Sequence, residues 1–328
     1  MKLIFKYVPL IACAFILSGC GNSNTSSADK ASDEVSKTED APKIKLFYSY
    51  ENYELNCPVK SVNVRRYEVT TKFGDLVKEE LADGYYTVIE FNNSGHIEKY
   101  VVYDDKDKIM HMQRTAYDHN GFLSEVASYS EDGQLEELHK YVFREDGNWL
   151  KRDTYNQDGD LKTVSVRKFE GDKLVEYREE KYNDADTLVD KTICKFNGNV
   201  LEYYSVYQNG ELYYTEKYSK YDEYGIQESS MYDASGDLYK KYYLEKDKNG
   251  ELVVGRIFDA DGNLTYDKEI KRNENDLVIY DRIVENGKET VTEYEYEYDH
   301  KGNWIKKIEY EGVMRKPVKI TEREIVYW

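Results

Sequence analysis

The chain has 328 residues, 34% of them charged, and a formal net charge of −18. That acidic excess argues against nucleic acid and anionic membrane surfaces as partners. With 34 tyrosines but only 10 phenylalanines and 3 tryptophans, the chain is also poorly supplied for a thick apolar core.

Lys2 and Lys6 precede and interrupt a short apolar run from Leu3 to Leu17, too short for a comfortable membrane-spanning helix. Residues 1–19 read as a signal peptide. It ends in Leu17-Ser18-Gly19-Cys20, which resembles the lipobox of bacterial lipoproteins. The resemblance implies that Cys20 is lipidated and becomes the first mature residue, anchored stably by its several acyl chains. Loss of the two signal lysines takes the charge from −18 to −20. Residues 21–43 are small and polar, so after Cys20 they form a flexible tether.

Residues 44–90 read as N-terminal capping strands, including a hairpin around Gly74 and the strand "GYYTVIEF" from Gly84 to Phe91. From 91 to 312 the chain repeats one unit: an aromatic, a turn-forming Asp, Asn or Ser, a glycine, then an apolar residue. Copies begin at Tyr117, Tyr129, Phe143, Tyr155, Tyr207, Tyr221, Tyr232, Phe258 and Tyr298. The glycines fall at 121, 133, 147, 159, 171, 198, 210, 225, 236, 250, 262, 287 and 302, with Asp186 and Asp276 in degenerate copies. Asp or Asn opens a type I turn, and glycine supplies the left-handed residue that completes a bulged hairpin. Segments between turns are rich in Tyr, Val, Ile and Thr, as strands prefer. Residues 313–328 form a closing C-terminal strand.

These spacings predict an all-β fold, a repetitive antiparallel meander with one strand per unit and successive turns on opposite edges. Tyrosine occupies both faces of stretches such as "ELYYTEKYSKYD", residues 211–222. That pattern favours an extended, twisted sheet, single-layered or coiled, over a two-layer sandwich. Tyr294, Tyr296 and Tyr298 alternate with Glu293, Glu295 and Glu297, so a strand places the three rings on one side. The acidic turns fail as calcium loops: with Gly262 at the sixth position Ile257 stands first, and in residues 245–256 Arg256 replaces the closing glutamate.

The unit resembles the tyrosine–aspartate, or Rhs-type, repeats of exported bacterial proteins, whose sheets wind into shells around toxin domains. The likeness covers residues 91 to about 312. The opening "CPVKSVNVRRYEVTTKFGDLVK" looks like the start of small repeat lipoproteins of Gram-negative envelopes. The chain departs from the large shells in its length and in lacking a C-terminal effector, so toxin delivery is not implied. Choline- or glucan-binding repeats share the paired aromatics but use a regular tryptophan, whereas here only Trp149, Trp304 and Trp328 occur. MORN-type repeats share "YQNGEL", residues 207–212, but carry more glycine.

The histidines at 96, 111, 119, 139 and 300 lack metal-ligand spacing, and no hydrolase, metalloprotease or nucleotide-binding motif appears. No catalytic residue, cofactor or metal is expected. Cys57 and Cys194 lie 137 positions apart without a CxxC pattern and read as unpaired strand residues. The expectation is a non-catalytic binding or scaffolding lipoprotein, anchored in the bacterial envelope through Cys20 at the outer membrane; the side is left open, and the lack of an early acidic run after Cys20 leans towards the periplasmic one. Its partner would be an envelope protein or a glycan. The alternative is a polysaccharide-binding accessory or degenerate glycan-processing protein.

Overall fold

The computed structural model describes residues 53–328 apart from 198–199, 223–224 and 248–250. The signal peptide, Cys20, the tether, Gly198 and Gly250 therefore lie outside the described residues. Strands follow one another with no helix between them. They are β1 (Val59–Lys72), β2 (Asp75–Phe91), β3 (Ile97–Asp104), β4 (Ile109–Tyr117), β5 (Leu123–Ser130), β6 (Leu135–Phe143), β7 (Trp149–Asn156), β8 (Leu161–Glu170), β9 (Lys173–Tyr182) and β10 (Leu188–Asn197). The second half comprises β11 (Val200–Gln208), β12 (Glu211–Asp222), β13 (Gly225–Asp233), β14 (Leu238–Lys246), β15 (Leu252–Asp259), β16 (Leu264–Arg272), β17 (Val278–Glu285), β18 (Lys288–Tyr298), β19 (Trp304–Glu311) and β20 (Lys316–Tyr327).

The turns are built as the residue types dictate. At the end of β4, the Gly121 amide donates to the Asp118 carbonyl oxygen at 3.0 Å. Asp118 Oδ1 accepts from the amides of Asn120 and Phe122 at 2.8 and 2.9 Å. The same pattern recurs at Asp104, Asn183, Asp233, Asn273 and Asp299. Gly262 has φ +87, and Asp186 and Asp276 adopt φ 55 and 63 in the glycine's place.

Each strand pairs antiparallel with its neighbours in sequence, as a meander requires. The expectation of an open or coiled sheet is corrected at the ends. β20 pairs with β1 from Val59↔Tyr327 to Glu68↔Lys319, which closes the 20-stranded sheet into a barrel. Twist and stagger accumulated over so many strands bring the first edge to the last, and pairing satisfies two rows of backbone groups that an open sheet would leave exposed. At about 4.8 Å per strand the ring has a diameter of roughly 30–40 Å. Among the described residues, side-chain hydrogen bonds and ion pairs between strands join those at most two apart around the ring, for example Arg66 on β1 to Glu309 on β19 and Arg152 on β7 to Glu179 on β9.

Alternation gives every strand two registers, and the ladders keep them consistent around the ring. One register carries Val62, Ile89, Val126, Ser165, Cys194, Met231, Glu309 and Thr321, all buried. Side chains converge on the concave side of a closed ring, so this register is the inner wall. The other carries Lys140, Lys217, Lys241, Glu297 and Glu324, all exposed. It is crossed by charge pairs such as Lys306–Glu297 at 2.6 Å and Arg282–Asp267 at 2.8 Å. Neither wall shows the continuous apolar band that lipid contact demands of a membrane-spanning barrel.

The apolar clusters gather toward one rim, here called the lower, where Phe91, Tyr117, Phe143 and Phe196 point inward just before their turns. Residues 53–58 cross the inside of the seam at this rim. Leu55 is buried with Val62 and Ile89, and the Asn56 side chain donates to the Gly302 carbonyl oxygen at 2.7 Å. The turn at Phe73–Gly74 and the turn before β20 lie at the upper rim, where Phe73, Val313 and Met314 are exposed.

Candidate functional site

The β16–β17 turn and the inner face of β18 form a cleft at the lower rim. Asn273 opens the turn, and its Oδ1 accepts from the amides of Asn275 and Leu277, each at 3.0 Å. Asp276, at φ 63, completes the turn. The turn thereby holds Asn273 Nδ2 where it donates to the Tyr298 hydroxyl at 3.1 Å. One strand step along, the Tyr296 hydroxyl donates to the Val278 carbonyl oxygen at 2.8 Å. The two rings stand 6.4 Å apart at 33°, and Tyr296 meets the Trp304 indole edge-on at 5.9 Å. The cleft is open to solvent and holds about 430 Å³ between these rings and Tyr294 on one side and Asn273, Glu274, Asn275 and Ile279 on the other.

Above and beside the cleft the inner wall turns cationic. Arg66 makes a two-pronged ion pair with Glu309 at 2.9 and 2.8 Å. The Lys307 ammonium lies 5.5 Å from the Tyr294 ring, and burial lowers its pKa. Arg323 stacks on Trp304 at 3.3 Å, and burial pushes its guanidinium down to about 10. Trp304 Nε1 donates to Glu54 at 2.7 Å, which ties the entering segment to this wall. Burial likewise raises Tyr294 to about 12 and Tyr296 further.

Two other networks of polar groups lie on the inner wall. Glu179 Oε2 accepts from Arg152, Ser165 and Tyr177 at 3.0, 3.1 and 2.7 Å, so its lone pairs are committed to holding β7, β8 and β9 together. Glu216 is buried with its pKa raised, chiefly by desolvation, and accepts from Ser229 Oγ at 2.5 Å. Glycoside cleavage needs a second carboxylate facing the first. The groups acting on Glu216 are hydroxyls, those of Ser229 and Tyr218. Among the described residues, no three His, Cys, Asp or Glu side chains converge on a point where a metal would sit.

The tyrosine row read from the sequence is thus on one face and half-buried, with Tyr298 38% exposed. The turn that faces it was read through Asp276, but its approach to the row was not, because that depends on the β17–β18 register. Cys57 and Cys194 are not joined in a disulfide, and Cys194 is fully buried. Cys20 lies outside the described residues. No helix of the described residues is long and apolar enough to cross a membrane, which says nothing of a barrel.

No family profile and no curated protein matches the sequence. Solved structures show distant likeness. A porin-like protein from Bacteroides uniformis aligns over 82% of this chain and 96% of its own, at TM-score 0.35 and 11% identity. A TcdB2-TccC3 toxin chain aligns over 79% of this chain and 16% of its own, at TM-score 0.24 and 12% identity. A Photorhabdus luminescens Tc holotoxin pore chain gives TM-score 0.24 at 11% identity, over 75% of this chain and 16% of that one. At such scores the likeness carries neither fold detail nor function to this chain.

Proposed function

We propose that the protein is a lipid-anchored component of the bacterial envelope that binds a partner without transforming it. The observation that carries this reading is the tyrosine-walled cleft on the inner wall, where ring surface and free polar side chains face one another with no nucleophile or carboxylate pair between them. The anchor rests on Cys20 after the Leu-Ser-Gly box. A closed barrel is compatible with an envelope location, and the charged residues on both walls favour attachment by acyl chains over insertion. Residues 53–58, which follow the tether in sequence, lie at the same rim as the cleft.

Two measurements test the reading. Cys20→Ala is expected to abolish incorporation of a palmitate label and to move the protein into the soluble fraction or leave it as unprocessed precursor. Full membrane retention with a cleaved signal refutes the anchor. Tyr296→Thr with Tyr298→Thr keeps strand propensity and removes the rings. Loss of cross-linked envelope material from a folded double variant supports the binding reading, and unchanged recovery with lowered stability assigns the rings to packing alone.

A further inference from the structure

We infer that the cleft takes a neutral, hydroxyl-rich oligosaccharide, an assignment that rests on the binding reading above and names its ligand. The hydroxyls of Tyr296 and Tyr298 are already engaged with Val278 and Asn273. What these residues offer the cleft is ring face, and a ring face matches the C–H side of a pyranose. Their 33° tilt and 6.4 Å separation make a stepped platform. Successive inward residues on one strand are about 6.6–6.8 Å apart. The row from Tyr298 to Tyr294 is therefore roughly 13 Å long, suited to several linked sugar rings.

The opposite lip supplies hydrogen-bonding groups. The side chains of Glu274 and Asn275 are exposed and carry no hydrogen bond among the described residues, so the carboxylate is free to accept sugar hydroxyls and the amide both to donate and to accept. Ile279, 36% exposed, adds apolar floor. Glu274 is the one charged side chain lining the cleft, on a chain of net charge −18. An anionic sugar meets like charge at the lip, whereas a neutral sugar meets an acceptor. The cations above the cleft, Arg66 and Lys307, already face Glu309 at 2.8 and 4.0 Å, so Glu274 sets the charge at the lip and the arrangement selects against uronic and sulfated glycans.

The test titrates the full lipidated chain, in detergent, with cellohexaose, maltohexaose and the hexamer of N-acetylglucosamine, and with hexagalacturonate as the acidic counterpart. Calorimetry reads binding directly. Tryptophan fluorescence reads it a second way, since Trp304 lies 5.9 Å from Tyr296. The expected result is that at least one neutral hexamer binds, hexagalacturonate does not, and Tyr298→Ala and Glu274→Ala each weaken binding at least tenfold. Glu274 is exposed, so its variant separates recognition from folding. The inference fails if no neutral hexamer binds, if the acidic hexamer binds more tightly, or if neither variant changes affinity. Ring-dependent capture of envelope material alongside silent hexamers removes the sugar assignment and leaves the binding reading standing. Silence in both experiments removes both.

Discussion

At the scale of single residues, backbone conformation explains more than contacts do. A Cβ built on Gly262 has open space around it, yet the residue sits at φ +87. Gly262→Val therefore costs about 1–3 kcal/mol through strain alone. Phe73 offers the converse case. The two-residue turns at Asn209–Gly210 and Asn286–Gly287 place asparagine at φ 50 and 51, whereas Phe73 adopts φ 55 with its side chain fully exposed. Phe73→Asn relieves a left-handed phenylalanine and loses no packing, so it is expected to stabilise by about 1 kcal/mol. Thermal unfolding checks both: a lower melting temperature for Gly262→Val and one about 2–4 °C higher for Phe73→Asn. A neutral Gly262→Val would undo the turn argument. The turns at Asp118 and Asp259 were legible in the sequence because an Asp and a glycine three positions later build each of them, and the two-residue turns because Asn and Gly stand side by side, with no distant partner involved in either.

At the scale of strands, legibility stops at the choice of face. In β12 tyrosines lie in both registers, and alternation does not say which one turns inward. The barrel sends Glu216 in, beside Met231, and Lys217 out. Burial raises the Glu216 pKa above its ordinary 4.5. A carboxyl group whose folded pKa exceeds its unfolded one contributes stability that is complete below the unfolded value and is lost as pH rises through the folded value. Above the unfolded value burial of this carboxyl group therefore works against the fold. Glu216→Gln keeps an acceptor for Ser229 and is expected to raise the melting temperature at pH 7 and change it little at pH 4. Equal effects at both pH values would show that charge burial is not what the residue costs. The tyrosine row of β18 was legible by contrast, because glutamates occupy every alternate position from Glu293 to Glu297.

At the scale of the whole molecule, the meander followed from the spacing of turns but closure did not, because pairing of β1 with β20 expresses twist and stagger summed over every strand between. Asn63 and Glu324 lie directly opposite on the outer wall, with side chains 3.4 Å apart. Asn63→Cys with Glu324→Cys is expected to form a disulfide on mild oxidation, identified by peptide mapping against the native Cys57 and Cys194. An open sheet would keep these positions far apart, and absence of that cross-linked peptide would reopen the ring.

The seam also sets a timetable. Positions paired across it, Asn63 and Glu324, stand 261 residues apart in the chain, and β20 follows the other nineteen strands. Until it arrives, β1 carries an unpaired row of amides and carbonyls, and every newly added strand becomes a second free edge. Contacts so distant in sequence form slowly. Until the ring closes the growing sheet is thus a template for misassociation, and its dense outer charge, repelling other copies of itself, counters aggregation during that interval.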